Sequence, residues 1–208
     1  MTNGKLTGAP DPAAPLLPWL AHRVRLVEVE LLAALRFGGD VRAARRAVRV
    51  LERAGLVTAD WLLMSAVPTI TALTGPTASW QPGAPGINPA EVVKVARSRW
   101  RRCGSAQLVQ VVLLTEQGAR LTGGVVSKLR LSELGHDRLA QRIYFALGCP
   151  DDWYKAEAAI EAPEIPGVVP DIWRGSTAVE VIGADYRPLK VKRFAEKLMA
   201  HEVSFELW

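Results

Sequence analysis

The chain has two cysteines in 208 residues, Cys103 and Cys149. They match neither a CxxC pair nor a zinc-finger spacing, so no disulfide framework and no cysteine-ligated zinc site is expected. They read as reduced thiols of a cytoplasmic protein, with a single bridge between them left open. No apolar run approaches the roughly 18 residues that a membrane-spanning helix needs, and no secretory signal opens the chain. No Walker loop, GxGxxG or Ser-His-Asp arrangement is present either. ATP, dinucleotides and covalent hydrolase chemistry are therefore set aside, and no nucleotide cofactor is expected.

What is present is a core, a surplus of arginine and a division of charge. The composition is 49% hydrophobic with seven tryptophans, enough to fill one large domain or two small ones. Residues 1–14 are rich in Gly, Pro and Ala and read as a flexible N-terminus. Residues 1–130 hold 17 Lys/Arg against 8 Asp/Glu, and residues 131–208 hold 9 against 13. The first part is built to meet a polyanion. The second clusters carboxylates, which either solvate a surface or hold a cation.

Between Asp40 and Gly55 the periodicity predicts a helix with Arg42, Arg45, Arg46, Arg49 and Arg53 inside an arc of roughly 100°. Ala43, Ala44, Ala47, Val48, Val50, Leu51 and Ala54 fall on the other side. Guanidiniums this close repel one another, and a duplex offers phosphates and guanine edges to match them. A merely solvated charged face is the competing reading. Asp40 suits an N-cap and Gly55 the position after the helix. A helix over Val27–Phe37 is expected before it, and a β wing over Trp61–Leu73 after it. Pro89 suits the first turn of a helix over 90–102. That helix ends in RSRWRR, where Arg97, Arg99, Arg101 and Arg102 form a second basic patch and Trp100 reads as an anchor. Leu108–Leu114 has strand composition.

From Leu131 the elements read α-β-β-β-α-β: a helix over Ser132–Leu147 capped by Ser132, strands over Trp153–Ile160, Gly167–Trp173 and Ser176–Ile182, a helix over Pro188–Ala200, and a strand over Ser204–Trp208. Pro170-Asp171 precedes Glu180 by a hairpin's length. Two carboxylates at neighbouring strand ends make a negative potential that suits Mg²⁺.

Two resemblances follow. The segment RRAVRVLERAGLV resembles the recognition helix and next strand of winged helix-turn-helix domains, which implies docking in a major groove. The stretch VPDIWRGSTAVEVIG, with its element order, resembles the PD-(D/E)xK nuclease superfamily. That resemblance implies Asp171 and Glu180 as ligands of Mg²⁺, which would activate a water and polarise a phosphate. Ile182 stands where the superfamily carries its lysine. Lys155, or Lys190, Lys192 or Lys197, would have to supply the cation, and Glu157, or less favourably Glu133, a further acid.

The combination resembles the replication-relaxation family of plasmids and mobile elements, through His136, Trp153 with Glu157, Pro170-Asp171 and Glu180-Val181. It implies a nucleoid-associated DNA-binding protein acting in replication or relaxation. The expected fold is thus α/β (α+β): a winged helix-turn-helix DNA-binding region over 15–130, then a small αβββαβ restriction-endonuclease-like core over 131–208. The alternatives are a Mg²⁺-dependent endonuclease or nickase, and a non-enzymatic transcriptional regulator or assembly subunit. A homodimer stays open, since nothing in the sequence counts subunits.

Overall fold

Val27, expected at the start of a helix, lies in a strand, and that strand sets the arrangement of the first half of the molecule. The computed structural model describes residues 13–69 and 73–208. The flexible stretch expected over 1–14 falls mostly outside them, as do residues 70–72 of the expected wing. In chain order the elements begin with α1 (Leu16–Pro18), which widens into a further helical turn over Trp19–Arg23, then β1 (Val27–Glu28), α2 (Val29–Arg36), α3 (Val41–Arg53) and β2 (Val57–Met64). There follow β3 (Ala78–Trp80), α4 (Pro89–Arg101), β4 (Gln107–Leu114), α5 (Glu116–Thr122) and α6 (Leu134–Ala146). The chain closes with β5 (Trp153–Lys155), β6 (Ile172–Arg174), β7 (Thr177–Glu180), α7 (Pro188–Ala200) and β8 (Phe205–Leu207). Among the described residues this is a mixed α/β protein with seven α-helices and two sheets, and none of its helices is long and apolar enough to cross a membrane.

The first sheet runs in the order β1-β4-β2, all antiparallel. Val27 and Glu28 pair with Val112 and Val111, so β-branched Val27 extends the sheet and the helix begins only at Val29. The sequence leads into α3 as expected. The Asp40 side chain accepts a hydrogen bond from Ala43 N at 2.9 Å. Gly55 takes φ +70°, its N–H bonding Glu52 O while Leu56 N–H bonds Leu51 O, which satisfies two carbonyls at the helix end.

The second sheet runs β3-β8-β7-β6-β5, with β7 and β8 parallel and the other pairs antiparallel. Side chains alternate across it. Trp153, Ile172, Val179 and Val181 join the core shared with α6, α2 and α3. Trp173, Ala178, Phe205 and Leu207 pack against α4 and α7. The strands are shorter than the sequence reading: the expected Trp153–Ile160 strand turns after Lys155, and Glu157 sits in that turn. Ser132 makes no side-chain cap, because a tight turn over Leu131–Glu133 precedes α6.

The sequence boundary at residue 130 does not separate the two sheets. β3 and α4 lie between β2 and β4 in the chain, yet β3 pairs with β8 and α4 packs on α7. A buried ion network also joins the halves. Glu28 is held between Arg138 and Arg142 of α6, each at 3.0 Å, and accepts from Gln141 Nε2 at 2.7 Å. Burial works against its ionisation, but hydrogen bonds from Arg142 and Arg138 outweigh it and hold Glu28 below the usual carboxylate range.

Candidate nucleic-acid interface and carboxylate pair

The α3 helix buries Ala44 and Val48 and turns Arg42, Arg46, Arg49 and Arg53 to solvent. None of these four forms an ion pair with a carboxylate among the described residues. Arg45 is the exception within the expected five. It is half-buried, donates from Nε to Gln110 Oε1 at 2.9 Å and lies 5.5 Å from the centroid of Trp61. Val50, expected inside, is exposed. It faces away from α2 and the sheet, the two surfaces that α3 packs on.

Half of the second basic patch is committed inward. Arg97 donates to Ala184 O and Tyr186 O, Arg99 to Gly75 O, and Arg102 to Ser98 within its own helix. Arg101 has no such bond among the described residues, and both Arg101 and Arg102 are exposed. Trp100 is an anchor, its indole N–H bonding Ile182 O at 2.8 Å. Four arginines distributed around a helix cannot all face outward, and here loop carbonyls take the side chains of Arg97 and Arg99.

Asp171 and Glu180 do come together, at neighbouring ends of β6 and β7. Asp171 Oδ2 accepts from Val181 N at 2.8 Å, and Glu180 Oε1 accepts from the Tyr186 hydroxyl at 2.7 Å. Burial and the Asp171 charge push Glu180 up to about 8, against the Tyr186 hydrogen bond. Burial also raises Asp171, opposed by Val181 N–H and by nearby His136, Arg25 and Lys190. Gly183 makes room for this crowding, since a Cβ there would collide with the His136 ring and the Asp185 carboxylate. Beside Glu180 a cleft of about 650 Å³ is lined by Tyr186, Lys190, Arg193, Phe194 and Lys197.

The remaining expected site residues are bonded to other groups, although Lys155 lines a small hollow together with Asp171. Lys155 is buried, and its ammonium donates to Leu20 O at 2.7 Å and Val125 O at 2.6 Å, with burial lowering it to about 8. It ties the two halves together. Glu157 pairs with Arg25, which also holds Asp137 at 3.0 Å. Burial raises Asp137 to about 6 even so. The donor set for Mg²⁺ therefore stops at two carboxylates, both already hydrogen-bonded. Among the described residues no group of three His, Cys, Asp or Glu assembles, and the lysine position is filled by buried Ile182. Tyr186, Arg25 and Trp61 were not foreseen. Tyr186 is six residues from Glu180 and gives a weak local signal, while Arg25 reaches its partners across more than 100 residues and gives none. Comparison with family models, with curated proteins and with solved structures finds no match for this chain.

Proposed function

We propose that the protein binds DNA through α3. The observation that carries this reading is the row of Arg42, Arg46, Arg49 and Arg53, exposed on one helix face and in no ion pair among the described residues, with the charge of the N-cap Asp40 near Arg42 and Arg46. The strand order β1-β4-β2, with α2 and α3 before β2 and α5 after β4, supports this reading because a winged helix has the same order, with β3 and α4 inserted here between its last two strands. In that fold α3 occupies the recognition position. The second half, α6-β5-β6-β7-α7-β8, follows the element order of the nuclease-like core. A role in replication or relaxation of a plasmid or other mobile element rests on the short motifs of that resemblance alone.

The test is a titration of labelled duplex at about 50 and about 200 mM salt. Neutralised phosphates release counterions, so affinity falls steeply between the two. Binding that ignores salt, or no binding at the lower concentration, would remove α3 from any DNA interface.

One observation favours a second reading, a metal-dependent nuclease. Glu180, beside Asp171, lines a basic cleft that carries Lys190. These two carboxylates would hold Mg²⁺, whose chemistry is to activate water and polarise a phosphate. Supercoiled plasmid incubated with Mg²⁺ or Mn²⁺ decides it: nicking lost in Asp171→Asn supports the reading, and intact plasmid with both metals removes it.

A further inference from the structure

A tryptophan on the strand after α3 points to the kind of DNA this surface takes. Trp61 sits mid-strand in β2 and is 52% exposed. Its cross-strand neighbour is Gln110, and the next pair on the same face is Leu63 with Leu108, 69% and 62% exposed. Duplex phosphates have no use for such a surface. An indole left open to water in a basic setting suits the π-face of a base.

The setting is ordered in advance. The Gln110 hydrogen bond fixes Arg45, whose guanidinium covers one part of the indole. Between α3 and the sheet lies a hollow of about 190 Å³, lined by Arg45, Arg49, Glu52, Trp61 and Gln110 among others. It is large enough for one nucleobase. Glu52 accepts from Ala59 N at 3.2 Å and is the acid of this hollow. Its charge turns a phosphate away from that end and offers an acceptor to an exocyclic amino group. Arg46 and Arg49, one and four positions along the helix from Arg45, stand where flanking phosphates would pass.

A base paired and stacked inside a duplex shows neither face, so Trp61 has nothing to receive from uninterrupted B-form DNA. We infer that the DNA recognised here carries an unpaired base beside the duplex, as at a fork, gap or melted site, with Trp61 stacking that base while Arg46 and Arg49 hold the phosphates on either side. This inference rests on the reading of α3 as the DNA-binding helix and adds the substrate class to it.

The experiment compares a forked duplex, carrying 2-aminopurine at its first unpaired position, with a blunt duplex of equal length. The wild-type protein should bind the fork about ten-fold more tightly and change the 2-aminopurine fluorescence, the size of effect expected from one base–aromatic stack. Trp61→Ala should lose that preference and that fluorescence change, its affinity for the fork falling toward that for the blunt duplex, and Trp61→Phe should keep most of both. Equal wild-type affinity for the two DNAs, or an equal loss on both in Trp61→Ala, overturns the inference and leaves α3 as a duplex-binding helix. No affinity for either DNA overturns the reading of α3 and this inference together. A wild-type dimer that Trp61→Ala converts to a monomer, seen by sedimentation velocity, also overturns it by assigning Trp61, Leu63 and Leu108 to self-association.

Discussion

The helices α3 and α4 are each 13 residues long and rich in arginine, but they use it in opposite directions. On α3 four guanidiniums point outward, and Arg45 stays beside the sheet. On α4 the side chains of Arg97 and Arg99 reach carbonyls of neighbouring segments, and Trp100 adds an indole N–H to the same task. Counting basic residues does not separate the two helices. Their angular distribution does, because 42, 45, 46, 49 and 53 share one arc while 97, 99, 101 and 102 spread around the axis. A guanidinium turned inward serves as a rigid multi-donor for carbonyls, and one turned outward remains available to an external anion.

The contrast predicts two classes of variant, and the largest effect falls on the inward class. Glu28→Ala leaves Arg138 and Arg142 facing each other without a counter-charge in a buried site. Loss of one partner from such a network costs about 3–5 kcal/mol, so the melting temperature should drop sharply. Any protein that remains folded should bind DNA as before. A variant that loses DNA binding without losing stability would mean that the network belongs to the interface and would erase the distinction. Arg97→Ala removes hydrogen bonds to two carbonyls and should cost about 1.5–3 kcal/mol by chemical denaturation. Duplex affinity should change little.

The outward class should do the reverse. Arg46→Ala with Arg49→Ala should leave stability within about 0.5 kcal/mol, as surface substitutions usually do. It should weaken DNA binding roughly ten-fold at moderate salt and lower the slope of log affinity against log salt by about 2, the share of two phosphate contacts. If Arg97→Ala flattened that slope equally, both helices would be in contact with DNA and the comparison would fail.

Much of the architecture was legible because it is local. Asp40 and Gly55 bracket α3, and Pro188 in the first turn opens α7 over the span the sequence indicated. The succession from α6 to β8 followed from apolar runs broken by turn residues. What escaped is non-local. Val27 reads equally well as helix or strand until its partner Val112 is known. Nothing near residues 78–101 announces that β3 pairs with β8 and α4 packs on α7, elements more than 80 residues further along the chain. The candidate site divides in the same way. Asp171 and Glu180 share a hairpin, so their meeting could be read from spacing. The fate of Lys155 depended on Leu20 and Val125, carbonyls brought up by distant segments.

The two buried glutamates carry the comparison into the dependence of stability on pH. Glu28 has two guanidiniums and is held below the ordinary carboxylate range. Its contribution to stability is complete above the unfolded value of about 4.5 and is lost as pH falls through the lower folded value. Glu180 has a hydroxyl and a second carboxylate instead, and sits near 8. Between about 4.5 and about 8 the folded chain holds a proton there that the unfolded chain has released, so this residue makes stability fall as pH rises. Glu180→Gln keeps a side chain that can bond Tyr186 and carries no titrating proton. It should therefore match wild type near pH 5 and become the more stable of the two toward pH 8, as followed by denaturant unfolding at three pH values. Parallel pH profiles would mean that Glu180 is charged throughout, and a cation held by the pair would then be needed to explain how two adjacent buried carboxylates coexist.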